Sequence, residues 1–241
     1  MRNMFKKAAV VALAFILAFS GVGIIGAQAK ETGTKDAQKY NSNTYNYVVE
    51  DFSRLVNGKQ SSINVLCYTM RLNLSGYGKA GKKINKALKK LVTVDPDLIF
   101  GYAEAQAEND YSETVESFYD YVGSWVNYND GKYLSVVVSR NFYAGGVGNT
   151  WNDGYTFNLK TGKRVPITEA TGWTLKQIKD RLLANMKADG DEYDETSYAT
   201  LEKMKESDFK YYLKDGNQCV VTFGAYEISY GGWYREFIIE Y

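Results

Sequence analysis

The most regular alternation of apolar and polar positions in the chain lies in residues 133–167. Leu134, Val136, Val138 and Phe142 fall on one face of an extended segment; Tyr133, Ser135, Val137 and Ser139 fall on the other. A glycine-rich turn (Gly145, Gly146, Gly148) reverses the chain, a second strand follows around 155–159, and residues 160–163 make the next turn. Upstream, Tyr45, Tyr47 and Val49 alternate. Residues 62–74 read as a stronger strand, with Ile63, Val65 and Cys67 on one face and Leu66, Tyr68, Met70, Leu72 and Leu74 on the other. Residues 118–127 alternate aromatics at Tyr119, Tyr121 and Trp125, and the run Asn129, Asp130, Gly131, Lys132 is a hairpin turn. Near the end, strands at 209–213 and 218–223 flank a turn at 214–217; residues 226–229 are extended, and 234–241 form a closing strand.

Helical spacing marks two segments. In 82–92, Ile84, Leu88 and Leu91 share one side and Lys82, Lys83, Lys86, Lys89 and Lys90 the other, with Asp95-Pro96 as the stop. In 173–186, Leu175, Ile178, Leu182 and Met186 form an apolar stripe behind Thr174 as cap. Residues 97–113 are rich in Ala and Glu and suit a helix, 198–206 suit a short one, and 168–172 read as a loop. The order predicts an α+β fold of mostly antiparallel sheet with helices packed on one face. It is compatible with two small lobes meeting near 95–115.

Composition narrows the chemistry. The 241 residues include 21 tyrosines, 2 prolines and no histidine. Without histidine there is no Ser-His-Asp or Cys-His triad and no histidine metal site. Residues 1–29 read as a signal peptide: Arg2, Lys6 and Lys7 precede an apolar run from Ala8 to Gly26, and Ala27-Gln28-Ala29 fits a small-x-small cleavage site. The alternative is an uncleaved membrane anchor, because the run is close to spanning length. Either way the rest of the chain is expected outside the cytoplasm, extracellular or at the cell surface, with membrane contact only if the segment is retained. Without the three basic residues of the signal, 26 basic residues face 28 acidic ones, a balance that gives no reason to expect a nucleic-acid partner. Residues 30–44 are polar and read as a flexible leader. Cys67 and Cys219 lie in predicted strands; in an exported protein they can pair as a disulfide, or each can be a small buried apolar residue.

Three motifs carry a resemblance. YLSVVVSRNFYAGG followed by YTFNLKTGKRVPIT resembles the exported domain of RsiV-type anti-sigma factors, which also precedes the catalytic domain of PdaC-type peptidoglycan deacetylases. FKYYLKDGNQCVVTFGAYEISYGG resembles its closing motif. MRLNLSGYGKAGKKINKALKK, with Ile84-Asn85, resembles the companion segment upstream. The resemblance implies an N-terminal segment at 45–112 and a C-terminal domain at 113–241. It also implies a non-catalytic function, since the RsiV group's exterior domain binds lysozyme and the deacetylase chemistry sits in a separate domain. Seven residues precede the apolar run, which leaves no room for an anti-sigma segment, and no deacetylase catalytic segment is found. The chain departs from the family at Val147-Gly148, where Ala-His is common.

Other motifs have ordinary readings. Gly76-x-Gly78-x-x-Gly81 matches a dinucleotide fingerprint, but the preceding strand alternates and no second apolar strand separates the helix from Asp95, so the glycines read as a strand-to-helix turn. No cofactor and no metal is expected: the acidic stretch Asp189, Asp191, Asp194, Glu195 breaks the calcium-loop pattern. Glu227, among Tyr226, Tyr230 and Trp233, is the carboxylate most open to a catalytic role in a carboxylate-dependent cell-wall hydrolase, against a structural role in the closing turn. The candidate ligand-binding residues are the turn aromatics Tyr143, Trp151, Tyr155, Tyr230 and Trp233, suited to stacking on sugar or anchoring a protein partner. The expected function is recognition of an envelope ligand, a lysozyme-like protein or peptidoglycan glycan.

Overall fold

The alternating segments fold as strands of two sheets. The computed structural model describes residues 38–41, 45–59, 61–109, 117–189, 193–229 and 232–241. The larger sheet contains β1 (Gln38–Asn41), β2 (Asn46–Asp51), β3 (Arg54–Asn57), β4 (Ser62–Asn73), β5 (Ser117–Asn129), β6 (Tyr133–Tyr143) and β7 (Gly148–Asn158). Its order is β1-β2-β4-β5-β6-β7, with β3 pairing the first residues of β4. The smaller sheet contains β8 (Lys210–Lys214), β9 (Gln218–Phe223) and β10 (Arg235–Glu240), in the order β10-β9-β8. All pairs are antiparallel except β4 and β5. That parallel pair needs a long crossover, supplied by α1 (Gly78–Leu91) and α2 (Pro96–Glu108). The fold is α+β, as the pattern predicts.

Several local expectations are met by identifiable causes. The strand-to-helix turn before α1 depends on Gly81, where a Cβ would lie 2.0 Å from the Leu74 carbonyl oxygen. Asp95 accepts from the Leu98 amide and caps α2, with Pro96 at its first turn; the pair that was expected to stop one helix starts the next. Thr174 and Gln177 form a capping box at α4 (Leu175–Ala188). Asp194 accepts from the amides of Thr196 and Ser197 and caps α5 (Glu195–Lys203), so this acid has a structural task; Asp191 lies outside the described residues.

Other expectations need correction. Residues 38–41, inside the expected leader, form β1 on β2; the signal segment 1–29 lies outside the described residues. The stretch 168–172 is not all loop: Ile167–Thr171 form the short helix α3, and Gly172, in the left-handed region, ends it. Residues 226–229 turn rather than extend, and Tyr226 has a positive φ of 61°. The two sheets do not divide near 95–115. β5, β6 and β7 belong with β1–β4, and the chain passes to the second sheet only after β7.

The layers follow from burial. On one face of the larger sheet, Leu134, Val136, Val138 and Phe157 pack with Ile84 and Leu88 of α1. Val65 and Cys67 pack with Ile99, Phe100 and Ala103 of α2 on the same side. The smaller sheet packs one face on Ile178, Leu182 and Met186 of α4, through Leu213, Cys219, Val221 and Ile239. Each sheet thus has helices on one face.

The smaller sheet stands on the larger by its edge strand. The Leu213 amide donates to Ser135 Oγ at 2.9 Å, and Ser135 Oγ lies 2.8 Å from Thr156 Oγ1. Thr156 Oγ1 donates to the Tyr211 carbonyl at 3.4 Å, so its proton is used and the serine hydroxyl must donate to the threonine. Asn127 Nδ2 reaches the Leu213 carbonyl at 3.0 Å, and the Gly154 amide donates to Thr222 Oγ1 at 3.1 Å. Gly154 permits this approach: a Cβ there would lie 2.4 Å from the Tyr211 carbonyl carbon.

Ser135→Ala leaves the buried Leu213 amide without its acceptor and should cost about 1–3 kcal/mol. Gly154→Ala should cost more, since two backbones must separate. Denaturant unfolding of both variants checks the ranking; a Gly154→Ala protein as stable as the parent would show that this backbone contact is not tight.

Candidate binding cleft

The smaller sheet covers only part of the larger sheet's second face, where Val137 and Trp125 meet Tyr212 and Val220. Beyond it the same face carries a row of tyrosines. Register places Tyr68 beside Tyr121 across the parallel β4–β5 pair, and Tyr119 beside Tyr143 across the β5–β6 pair. Tyr119 and Tyr121 share a face because they are two residues apart on one strand. The rings follow: Tyr68–Tyr121 at 5.1 Å and 8° between planes, Tyr121–Tyr119 at 5.7 Å and 34°, Tyr119–Tyr143 at 5.6 Å and 29°. Tyr68 is buried and the other three are half-buried.

The exposed stripe Glu236, Ile238, Glu240 of β10 lies on the face of the smaller sheet that meets Val137 and Trp125. It shares a face with Val220, because Ile238 pairs with Val220 and Glu236 with Thr222. Asn152 Nδ2, on the open face of β7, donates to Glu236 Oε1 at 3.2 Å and ties wall to floor. Asp51, paired with Tyr68, adds a carboxylate at the far end of the floor. The result is a cleft with a tyrosine floor, an apolar corner at Trp125 and an acidic, partly apolar wall.

Ring orientation limits what this floor can do. Adjacent rings at 8° and 29° turn their faces to one another; the Tyr68 hydroxyl is buried, and the half-buried Tyr119, Tyr121 and Tyr143 present their ring edges. A sugar ring packs flat on a free aromatic face, and these faces are taken. Ring edges and phenol groups suit a protein surface, where tyrosine gives large contact area and a hydrogen-bonding tip. Burial, and then the neighbouring Tyr119, hold the Tyr121 phenol above its usual range.

The five expected aromatics scatter. Tyr143 is in the row. Trp151 is on the opposite face of the sheet, its ring 5.1 Å from the Arg140 guanidinium, which pairs bidentately with the buried Asp120. Tyr155 is in the core under α1, at 8% exposure, and offers no binding surface. Trp233 is 69% exposed on the loop between β9 and β10, and Tyr230 lies outside the described residues. Sequence reasoning missed Tyr68, Tyr119 and Tyr121 as site residues. A signal was present: the alternation at 119 and 121 puts two tyrosines on the face opposite the apolar one, but only the register reveals their neighbours.

Glu227 is structural. Its Oε2 accepts from the Gly224 amide at 2.7 Å and closes the turn. Lys210 sits between Asp153, at 3.0 Å, and Glu227, at 3.7 Å, so a cation separates these two acids. Of the two readings open for the cysteines, the disulfide is not formed: Cys67 and Cys219 are free and buried, one under α2 and the other under α4, on opposite sides of the larger sheet. Burial, followed by the charge of Asp120, raises the Cys67 thiol to about 12, and burial raises Cys219 as well.

Comparisons with known proteins place the chain near two solved structures. A member of the DUF3298 family from Bacteroides fragilis is similar over 81% of this chain and 90% of its own, at 13% identity and a TM-score of 0.49. A DUF3298 family protein from Pseudomonas aeruginosa is similar over 80% of this chain and 90% of its own, at 15% identity and a TM-score of 0.44. No protein-family model and no curated protein matches the chain.

Two outcomes are expected. Neither cysteine should react with a thiol reagent in the native protein, and both should react on unfolding; rapid native labelling of either would contradict the buried placement. Stability should fall in alkali. Burial, then the nearby Tyr45, raises Tyr47 to about 12. The raised value favours the neutral phenol in the fold, so its contribution is fully present below about 10, the unfolded value, and is lost as pH rises through about 12. Denaturant midpoints across that window, with tyrosinate absorbance alongside, test this.

Proposed function

We propose that this chain is an exported, non-catalytic binding domain that takes a protein ligand of the cell envelope, of the lysozyme type, in the tyrosine-floored cleft. The observation that carries the reading is the four-ring row with its faces turned inward, which favours a protein surface over a glycan. Charge supports it: Asp51, Glu236 and Glu240 border the cleft, and lysozymes are basic proteins. The resemblance of the motifs to a lysozyme-binding exterior domain points the same way. The segment 1–29 supplies the export signal.

In a calorimetric titration, a lysozyme should bind the parent chain, and Tyr121→Ala and Tyr143→Ala should each weaken binding by about tenfold or more, in the range of interface hot spots. Trp233→Ala, outside the row, should leave affinity within about twofold. Binding of peptidoglycan fragments without binding of lysozyme would overturn the reading.

A further inference from the structure

α1 carries six lysines and no acidic residue. At 100° per residue, Lys79, Lys82, Lys83, Lys86, Lys89 and Lys90 fall within an arc of about 120°, opposite Ile84 and Leu88. All six are exposed, and none takes part in an ion pair among the described residues. The 160–163 turn packs on the same helix: Lys83 Nζ donates to the Thr161 carbonyl at 3.2 Å, and a Cβ on Gly162 would lie 2.5 Å from the Ala80 carbonyl oxygen. That contact brings the exposed Lys160 and Lys163 beside the arc. Eight lysines thus share one side of a chain whose charge is otherwise close to balance. Tyr77, 40% exposed, stands at the head of the helix.

We infer that this face docks on the surface of an anionic phospholipid bilayer. Three observations select a bilayer. The lysines line the outer side of one straight helix, a geometry that meets a plane of phosphates with every charge at once. An exposed tyrosine flanks them, in the manner of side chains at the water–lipid boundary. The second strand also begins beside this helix, since Tyr45 and Tyr47 pack on the same cluster as Ile84 and Leu88, and β1 pairs directly with that strand. Eleven residues separate Gly26, the end of the apolar run, from Gln38 at the start of β1, a span of up to ~40 Å when extended. A retained apolar segment would therefore hold α1 within reach of the lipid headgroups. Because α1 and the tyrosine row lie on opposite faces of the larger sheet, a docked domain turns its cleft away from the membrane.

The test uses the full chain reconstituted into vesicles. A fluorophore is placed at Lys86→Cys; Cys67 and Cys219 are buried and remain unlabelled. Quenching by neutral, water-soluble acrylamide is compared in phosphatidylcholine vesicles and in phosphatidylcholine–phosphatidylglycerol vesicles. Docking predicts quenching lowered ~threefold or more by phosphatidylglycerol, with the loss reversed at ~0.5 M salt. The combined variant K79Q/K82Q/K89Q/K90Q, confined to exposed positions, should show no lipid dependence. Equal quenching in both lipids, or protection that survives the glutamine substitutions, overturns the inference. Protection by soluble polyphosphate and not by phosphatidylglycerol also overturns it, because the partner is then an anionic polymer.

Discussion

The architecture depends on how the edge of one sheet meets the face of another. An edge strand presents unpaired amides and carbonyls, and burying them costs free energy unless partners are found. Here the partners are hydroxyls. Ser135 and Thr156 are neighbours across β6 and β7, and their side chains form a short relay from the Leu213 amide to the Tyr211 carbonyl. An apolar residue at either position would face β8 with nothing to offer its backbone. Gly154 completes the joint by removing the side chain that would hold the sheets apart. The polar face that alternation leaves on β6 is therefore not a solvent face but a docking face.

This joint creates the cleft. Two sheets stacked face to face would bury the whole second face of the larger sheet. A sheet resting on its edge strand covers a band across β5, β6 and β7 and leaves the rows beyond it open. On one side of the band the gap is closed by α4 and the smaller sheet's apolar face, with Tyr133 in the same cluster. On the other side no helix follows among the described residues, and the floor is the tyrosine row. The wall stands where it does because Asn152 and Glu236 hold the base of β10 against β7.

The sequence made the strands and both main helices legible because their signals are local. Leu134, Val136 and Val138 state a buried face at a period of two, and Thr174 with Gln177 states a helix start. What stayed hidden was pairing. Nothing local says that residues 62–73 run parallel to 117–129, because that depends on a crossover whose course the strands do not encode. β3 is four residues long with one buried side chain, too little periodicity to stand out. The aromatics nearest the turns looked most available. Turn proximity, however, says little about which face a ring takes: Trp151 and Tyr155 share the parity of Phe157 and so lie on the helix-covered side, whereas Tyr143 shares that of Ser135. Cys67 and Cys219 failed to meet for the same reason, since parity and layer decide which core each enters.

The tyrosine content now has a physical account. A sheet face left partly open must exclude water from the backbone ladder beneath it and still be soluble. Leucine or valine there would create an apolar patch, and short polar residues would leave the ladder wet. Stacked tyrosines satisfy both demands: ring faces cover one another and the strands below, and the half-buried Tyr119, Tyr121 and Tyr143 keep part of their rings in solvent. The same arrangement leaves the surface adaptable, because phenol tips accept or donate as a partner requires and the rings lose little rotational freedom on contact. β7 shows the contrast. Its open-face residues Thr150 and Asn152 are already committed, to Asn141 and Glu236, so the row ends at β6.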